Sequence, residues 1–252
     1  MYDLQRASMW KRISAWLFDI IMLAVVAVAA SLLLSAVLGY DNLSGELEAS
    51  YDKYEQTYGV DLALTEAQYD ALSDTDKARY DAAKKALASD TEIARLYELM
   101  MSYTLIIVTF AILISYLLLE FLVPLLLGNG QTLGKKVFGV GVMREDGVRI
   151  STLSLFVRTV LGKYTVETMI PVMVVMMIFF GAMGIFGIVV LLILLVSEIA
   201  LLAMGQGRPA IHDKMARTVC VDLASQMIFE SEEAMLEYKK RLHEENVSRT
   251  DY

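Results

Sequence analysis

The sequence is poor in the residues that build disulfides and transition-metal sites. It has 1 cysteine, Cys220, and 2 histidines, His212 and His243. A single cysteine excludes a disulfide within the chain and a cysteine-cluster metal site. Two histidines are too few for a histidine-based metal site, so we expect no metal and no cofactor. The net charge of −8 gives no basic footprint of the kind that binds nucleic acid.

Long apolar runs dominate the chain instead. Hydrophobic residues make up 56% of it and are gathered into uncharged stretches, which is typical of membrane proteins. The run from Trp10 to Leu38 exceeds the about 20 residues that a membrane-spanning helix needs. Arg12 stands at its start and Asp19 inside it, on nearly the same face of a helix. An ionisable group within a membrane helix predicts a functional site.

The pattern of apolar and charged residues predicts an all-α polytopic membrane protein. We expect about four transmembrane helices, a helical extracytoplasmic insert and a small cytoplasmic β-hairpin. The predicted segments are a lead with transmembrane helix one (1–40), the acidic insert (41–100), transmembrane helix two (101–127), a cytoplasmic loop with the β-hairpin and an interfacial helix (128–164), transmembrane helices three and four (165–204), and a cytoplasmic C-terminal segment with a charged helix (205–252).

The run 165–204 allows two interpretations. As one helix it would be about 60 Å long, twice the thickness of a hydrocarbon core. Two spans that turn near Gly181–Gly184 are therefore the preferred prediction. The alternative is one long tilted span with an interfacial lead, in which the glycines are close-packing positions.

Charge asymmetry predicts the topology. Segment 41–100 holds 14 acidic and 6 basic residues, so it carries the whole net charge of −8. Basic residues are concentrated instead at Arg6–Arg12, Lys135–Lys163 and Arg208–Arg217. Since cytoplasmic loops carry the excess of lysine and arginine, we expect both termini in the cytoplasm and the insert outside. An outward domain without disulfides is compatible with a bacterial plasma membrane.

The loop after helix two has β character over 137–143. Asp146-Gly147 is a strong hairpin turn signal, and 148–150 would form the returning strand. Segment 218–221 is a candidate for an additional strand beside this hairpin. Ser151 then predicts the cap of an amphipathic helix that lies in the membrane interface, with Arg158 and Lys163 facing lipid phosphates.

Glu120 is a second carboxylate inside an apolar run, and Pro124 follows it one turn later. A proline in a helix frees a backbone carbonyl, which neighbouring groups must satisfy. Glu120 either reaches water near the interface or is buried against another helix, and burial is at least as well supported by its depth.

Three groups of residues resemble the RDD family of bacterial membrane proteins, named for one arginine and two aspartates. They are Arg12 with Asp19, then Glu120 followed by Gly130-Gln131-Thr132-x-Gly134-Lys135, and finally Ile211-His212-Asp213-Lys214 with Thr218-Val219. The resemblance implies a membrane fold and little chemistry, although some members are linked to cation/proton exchange. It implies site candidates at Arg12, Asp19, Glu120 and Asp213, and secondary candidates at Gln131, Thr132, Lys135 and His212. The long insert and the long final apolar stretch depart from the family pattern.

Two functions follow as hypotheses. In the first, the chain is a small transporter that works as a homo-oligomer and exchanges monovalent cations for protons through Asp19 and Glu120. A surrounding of low dielectric raises the pKa of a carboxyl, so such a group can exchange a proton near neutral pH. In the second, it is a non-transporting scaffold or accessory module in the lipid bilayer. Its charged residues then form a structural network, and the insert binds an unknown partner. We expect no enzymatic activity.

Overall fold

The computed structural model describes residues 4–204 and 209–250 and is mainly helical. Arg208, one of the basic residues used above to assign the topology, lies outside the described residues. The chain forms two compact units, one from Met1–Ala27 with Ile112–Tyr252 and one from Val28–Ala111. The elements are α1 (Met9–Leu38), α2 (Tyr40–Tyr58), α3 (Glu66–Asp70), α4 (Asp74–Ala88), α5 (Thr91–Tyr116), π1 (Leu117–Leu122), α6 (Val123–Leu127), α7 (Leu133–Val137), β1 (Val140–Arg144), α8 (Thr152–Phe156), π2 (Val157–Met169), α9 (Ile170–Phe179), α10 (Gly184–Met204), α11 (Ile211–Met215), β2 (Thr218–Asp222) and α12 (Glu232–Thr250), where π1 and π2 are π-helical.

Three helices within the described ranges are long and apolar enough to cross a membrane. They are α1, the continuous helix Thr91–Leu127 and the continuous helix Thr152–Phe179. Large apolar side chains on α1 are exposed, among them Val25, Leu32 and Val37. Since water would oppose such exposure, these surfaces are those of a membrane protein. The continuous helix Thr91–Leu127 contains the predicted transmembrane helix two and begins within the range of the insert.

The insert has a small core of its own. Leu62, Tyr80, Ala83, Leu87 and Ile93 are buried together. The chain turns at glycines with left-handed backbone at both ends of α2, which favours residues without a Cβ. Segment 41–100 contains α2, α3, α4 and the start of α5, so the insert is helical, as predicted.

Helix two changes from α to π geometry around Glu120. Pro124 cannot donate a backbone hydrogen bond to the carbonyl four residues earlier, which belongs to Glu120. The Thr159 hydroxyl donates to this carbonyl at 2.9 Å. The prediction that neighbouring groups satisfy the freed carbonyl is confirmed, and the donor comes from π2.

The small sheet differs from the predicted hairpin. Residues 133–137 form α7, so β1 begins only at Val140, and it pairs antiparallel with β2 in the register Val142↔Cys220. The turn at Asp146-Gly147 exists, because the Arg144 N–H donates to the Val148 carbonyl at 2.9 Å. Beyond this turn a single bridge joins Met143 to Arg149. The segment predicted as an additional strand is thus the main partner of β1, and the prediction of a hairpin as the β element is corrected.

The predicted orientation of the helix after Ser151 is wrong. Ser151 does cap α8, with its side chain accepting from the Ser154 N–H. Arg158 and Lys163 do not face lipid phosphates, because they are only 3% and 8% exposed. Both side chains point to carboxylates from other elements, and burial of a long cation is tolerated only with such partners. The two residues are five apart, and the i→i+5 hydrogen bonding of a π-helix brings them onto one face.

Residues 165–204 contain two helices. α9 ends at Phe179 and α10 begins at Gly184, with positive φ at Gly181 and Gly184. The preferred turn position is therefore found in the structure. The predicted charged helix of the C-terminal segment is α12, which begins at Glu232.

Candidate functional site

Asp19 lies where α1 meets the loop that precedes α7. Its carboxylate accepts from the Thr132 hydroxyl at 2.5 Å and from the Gly134 N–H at 2.7 Å. The Lys135 Nζ lies 3.9 Å from the same carboxylate. Thr132 also caps α7, since its hydroxyl oxygen accepts from the Lys135 N–H at 3.3 Å. The aspartate thus fastens the first turn of α7 to the membrane helix.

Gly134 makes this contact possible. A Cβ at this position would lie 2.3 Å from the Ala15 carbonyl oxygen and 2.9 Å from an Asp19 carboxylate oxygen. The obstacle at Ala15 is backbone, which cannot rotate away. Nearby, the buried Gln131 amide donates to the Val140 carbonyl at 3.0 Å and holds the loop against β1.

Glu120 is buried against π2 and not in contact with water. Its Oε2 atom lies 2.5 Å from Lys163 Nζ. Burial lowers the pKa of Lys135, the neighbouring ammonium of Lys163 lowers it further, and the Glu120 carboxylate opposes both. Glu120 is 4% exposed, so the interpretation of it as buried against another helix is confirmed.

Asp213 joins three elements. Its Oδ1 atom lies 2.5 Å from Arg158 Nη1, and its Oδ2 atom lies 3.5 Å from Arg12 Nη2. The Arg158 guanidinium also donates to the Thr218 hydroxyl at 2.9 Å. Burial alone would raise the pKa of Asp213, but the surrounding cations, led by Arg158 and including Arg12 and Lys135, together hold the pKa well below its usual range. The carboxylate is therefore ionised at neutral pH.

His212 packs directly on π2. A Cβ on Gly162 would lie 2.6 Å from the His212 Cβ, so the glycine permits the approach. The Glu167 carboxylate accepts from the His212 backbone N–H at 2.8 Å and lies 2.8 Å from the ring Nδ1. Burial lowers the pKa of His212, so the neutral ring donates its Nδ1–H to Glu167.

These side chains form one set, which we call the charge network. Its members in the described chain come from the N-terminal end of α1, the C-terminal end of helix Thr91–Leu127, the N-terminal part of helix Thr152–Phe179 and the short α7 and α11. Four cations and four carboxylates belong to it, together with a neutral histidine: Arg12, Lys135, Arg158, Lys163, Asp19, Glu120, Glu167, Asp213 and His212. The charges balance, so the network can be buried without a net charge.

The structure brings all eight sequence-predicted residues into the same unit, where some of them contact one another and others contact residues outside the predicted set. Asp19 contacts Thr132 and Lys135, and Arg12 contacts Asp213. Gln131 holds the loop before α7 against β1. Four further residues of this region are ionisable without having been candidates: Arg158, Lys163, Glu167 and Glu198. Glu167 and Glu198 stand near the two ends of the apolar run 165–204, and this position could have selected both as candidates from the sequence.

Glu198 differs from the other carboxylates. It lies on the apolar α10, and its Oε2 atom is buried. Among the described residues this atom has no hydrogen-bond partner. A buried polar atom without a partner costs free energy, so this oxygen stands apart from the paired carboxylates of the charge network.

The fold and this site define a membrane protein whose helix ends are held together by buried ion pairs. The chain belongs to the RDD family, since the sequence model of that family matches residues 6–217. This span contains the whole charge network and the insert. Comparison with the curated proteins and with the solved structures finds no match.

Proposed function

We propose that the chain is a non-transporting membrane module and that its charge network is structural. The observation that supports this most is the pairing of the three predicted carboxylates. Each has a buried donor within 2.7 Å: the Thr132 hydroxyl and Gly134 N–H for Asp19, Lys163 for Glu120 and Arg158 for Asp213. The network joins the loop 128–137 and α11 to the ends of the apolar helices.

Pairing of this kind opposes ion exchange. To take up a cation from solution, Glu120 would have to release the Lys163 ammonium, which is itself buried. Removing one partner of a buried pair costs about 3–5 kcal/mol, because it leaves the other charge uncompensated. A group with that cost is better suited to fixing a structure than to loading and releasing ions.

The charge network also bears on which side of the membrane each helix end faces. The residues of the charge network lie at the N-terminal end of α1, the C-terminal end of helix Thr91–Leu127 and the short α7 that follows it, the N-terminal part of helix Thr152–Phe179 and in the segment after α10. Four spans in alternating directions would bring these ends to one side, and basic residues predict that this side is cytoplasmic. In a bacterial plasma membrane the insert would then face outward. There it would bind a partner, whether another protein or a second copy of this chain.

Cation/proton exchange is the second candidate, and Glu198 favours it. Its buried Oε2 atom, without a hydrogen-bond partner in the described part of the chain, is the kind of oxygen that can bind and release a proton. In that function Glu198, and not Asp19 or Glu120, would be the exchanging carboxylate. No enzymatic reaction belongs to either proposal.

A double-mutant cycle combined with a flux assay tests the two functions. Glu120→Gln, Lys163→Gln and the double variant are purified in detergent, and their unfolding free energies are compared. Glu237→Gln, which breaks an exposed pair with Arg241, is the matched control. We expect each single buried variant to lose about 3–5 kcal/mol and the double variant to lose less than their sum.

The same proteins are reconstituted in liposomes with a proton-sensitive dye. For the structural module we expect no sodium- or potassium-driven proton flux above that of empty liposomes. A flux in the wild type that disappears in a stably folded Glu198→Gln variant would contradict the module and establish exchange. Additive effects at Glu120 and Lys163 would contradict the structural role of their pair.

A further inference from the structure

A cavity of about 270 Å³ lies beside the Arg12–Asp213 pair. Its lining includes Arg6, Arg12, Glu145, Asp213, Thr218 and Cys220. The charge network borders this space only through Arg12 and Asp213. The rest of the wall comes from the N-terminal segment before α1, from the turn after β1, from the residues before α11 and from β2.

The N-terminal segment is held in place by the sheet. Arg6 forms a bridge with Val221, the Ala7 N–H donates to the Cys220 carbonyl at 3.1 Å, and the Asp222 N–H donates to the Gln5 carbonyl at 3.0 Å. This backbone pairing fixes the position of Arg6 at the cavity although its side chain is exposed.

The charges around the cavity favour an anion. Asp213 is already neutralised by Arg158, which lies at 2.5 Å and is as deeply buried as the aspartate. Of the remaining lining residues in the described chain, Arg6 and Arg12 are cations and Glu145 is an anion. A guanidinium offers five N–H donors in a planar fork, so one arginine can contact more than one acceptor. The lining itself holds two arginines and two carboxylates, and the buried Arg158 behind Asp213 adds a third guanidinium, so the formal charge at the cavity is about one positive unit.

The level of the cavity in the membrane points to the kind of anion. Arg12 lies between Trp10 and Trp16, whose side chains are 80% and 57% exposed. Tryptophan rings at the start of an apolar helix favour the headgroup level of a bilayer. Arginine pairs recognise phosphate oxygens by charge-assisted, often bidentate hydrogen bonds. The volume accommodates a phosphate group with a few attached atoms, while acyl chains would remain outside.

We propose that this cavity binds a phosphate group between Arg6 and Arg12. The group belongs either to a lipid headgroup or to a free phosphate, and the chemistry of recognition is the same for both. Glu145 at the rim opposes the anion and limits its affinity. The proposal does not depend on whether the protein transports ions.

Binding is measured on the full chain in dodecyl maltoside, a detergent without phosphate. One arm titrates dioleoylphosphatidylglycerol into the micelles, with oleate as an anionic amphiphile without phosphate. The other arm titrates inorganic phosphate against chloride at equal ionic strength. Native mass spectrometry counts bound lipid, and the shift in unfolding temperature reports both ligands. Arg6→Gln removes a lining cation, and Arg149→Gln removes an exposed arginine outside the cavity as the matched control.

We expect at least one phosphate ligand to bind, with an affinity about tenfold weaker in Arg6→Gln and unchanged in Arg149→Gln. Binding of the lipid alone assigns the site to a headgroup, and binding of inorganic phosphate assigns it to the free anion. No binding, equal weakening by both substitutions, or equal binding of oleate would overturn the proposal.

Glu145→Gln provides a second measurement with the opposite sign. Glu145 is exposed, so its neutralisation leaves the fold intact, and it removes the negative charge that faces the ligand. We expect tighter binding of the same phosphate ligand. Unchanged or weaker binding in this variant would overturn the proposal even if Arg6→Gln does not fold.

Discussion

The two units of the molecule use charge in opposite ways. In the insert, ion pairs such as Arg95–Glu92 are exposed at the surface of a core that is apolar and aromatic. In the other unit, Arg158 and Asp213 are buried and hold each other at 2.5 Å. Water screens the first kind of pair, so it contributes little, whereas the second must be matched to be tolerated at all. The contribution of a charge to this protein therefore depends on its surroundings more than on its sign.

The largest expected effect is at Asp213. Asp213→Asn keeps the side-chain shape but leaves the Arg158 guanidinium without its counter-charge. We expect a loss of about 3–5 kcal/mol in the unfolding free energy, measured by denaturant titration in detergent micelles. Asp222→Asn is the matched control, because Asp222 pairs with Lys11 at the surface, and its effect should be far smaller. Equal losses in the two variants would remove the distinction between buried and exposed pairs.

The pH dependence sharpens the same prediction. The pKa of Asp213 is lower in the folded protein than in the unfolded chain, where it is about 4. Its contribution to stability is therefore complete above that pH and is lost as the pH falls toward the folded pKa. Between pH 5 and about 3 the wild type should lose more stability than Asp213→Asn. Parallel curves for the two proteins would contradict the depressed pKa.

The next largest effect is expected at Gly134. Gly134→Ala places a Cβ against the Ala15 carbonyl, and the separation of α7 from α1 that relieves this clash also weakens the bonds to Asp19. We expect a loss of about 1–3 kcal/mol in the same titration. Gly45→Ala in the insert is the control, since nothing lies within 4 Å of its Cβ and it is helical. That variant should gain about 0.5–1 kcal/mol, and a loss there as large as at Gly134 would argue against a specific contact.

A moderate effect is expected at Thr159. Thr159→Val removes the hydroxyl that donates to the Glu120 carbonyl at 2.9 Å while keeping the side-chain volume. We expect a loss of about 1–2 kcal/mol, measured by thermal unfolding, because a buried carbonyl loses a donor. Thr57→Val in the insert removes an exposed hydroxyl that bonds only within its own helix, so it should change little. A stable Thr159→Val variant would show that π1 does not need this donor.

The smallest effect is expected in the insert itself. Glu92→Gln breaks the exposed pair with Arg95, and we expect a change within about 0.5 kcal/mol. The measurement is the thermal unfolding of the full chain at low and high salt. A large, salt-dependent loss would mean that exposed ion pairs stabilise the insert. The two units would then not differ in how much their charges contribute to stability.

Several local features could be predicted from the sequence because neighbours along the chain determine them. The length of the apolar runs predicts α1 and helix two, and Gly181–Gly184 predicts the turn between α9 and α10. Pro124 predicts a carbonyl in need of a donor. The prediction of a hairpin was wrong because it used only neighbours along the chain. The turn signal at Asp146-Gly147 predicts the turn, but it does not show that β1 pairs with a strand from far along the chain.

The sequence by itself determined that this protein is a membrane protein of mainly helical structure and that charged residues stand inside its apolar helices. Only the tertiary structure decided how these charges are paired. Asp19 and Thr132 are 113 positions apart, and Arg158 and Thr218 are 60 apart. Hydrophobic periodicity depends on near neighbours, whereas the partner of a buried charge depends on which helix ends pack together. For this reason Arg158 and Lys163 look like lipid-facing cations in the sequence and are buried ion-pair partners in the fold.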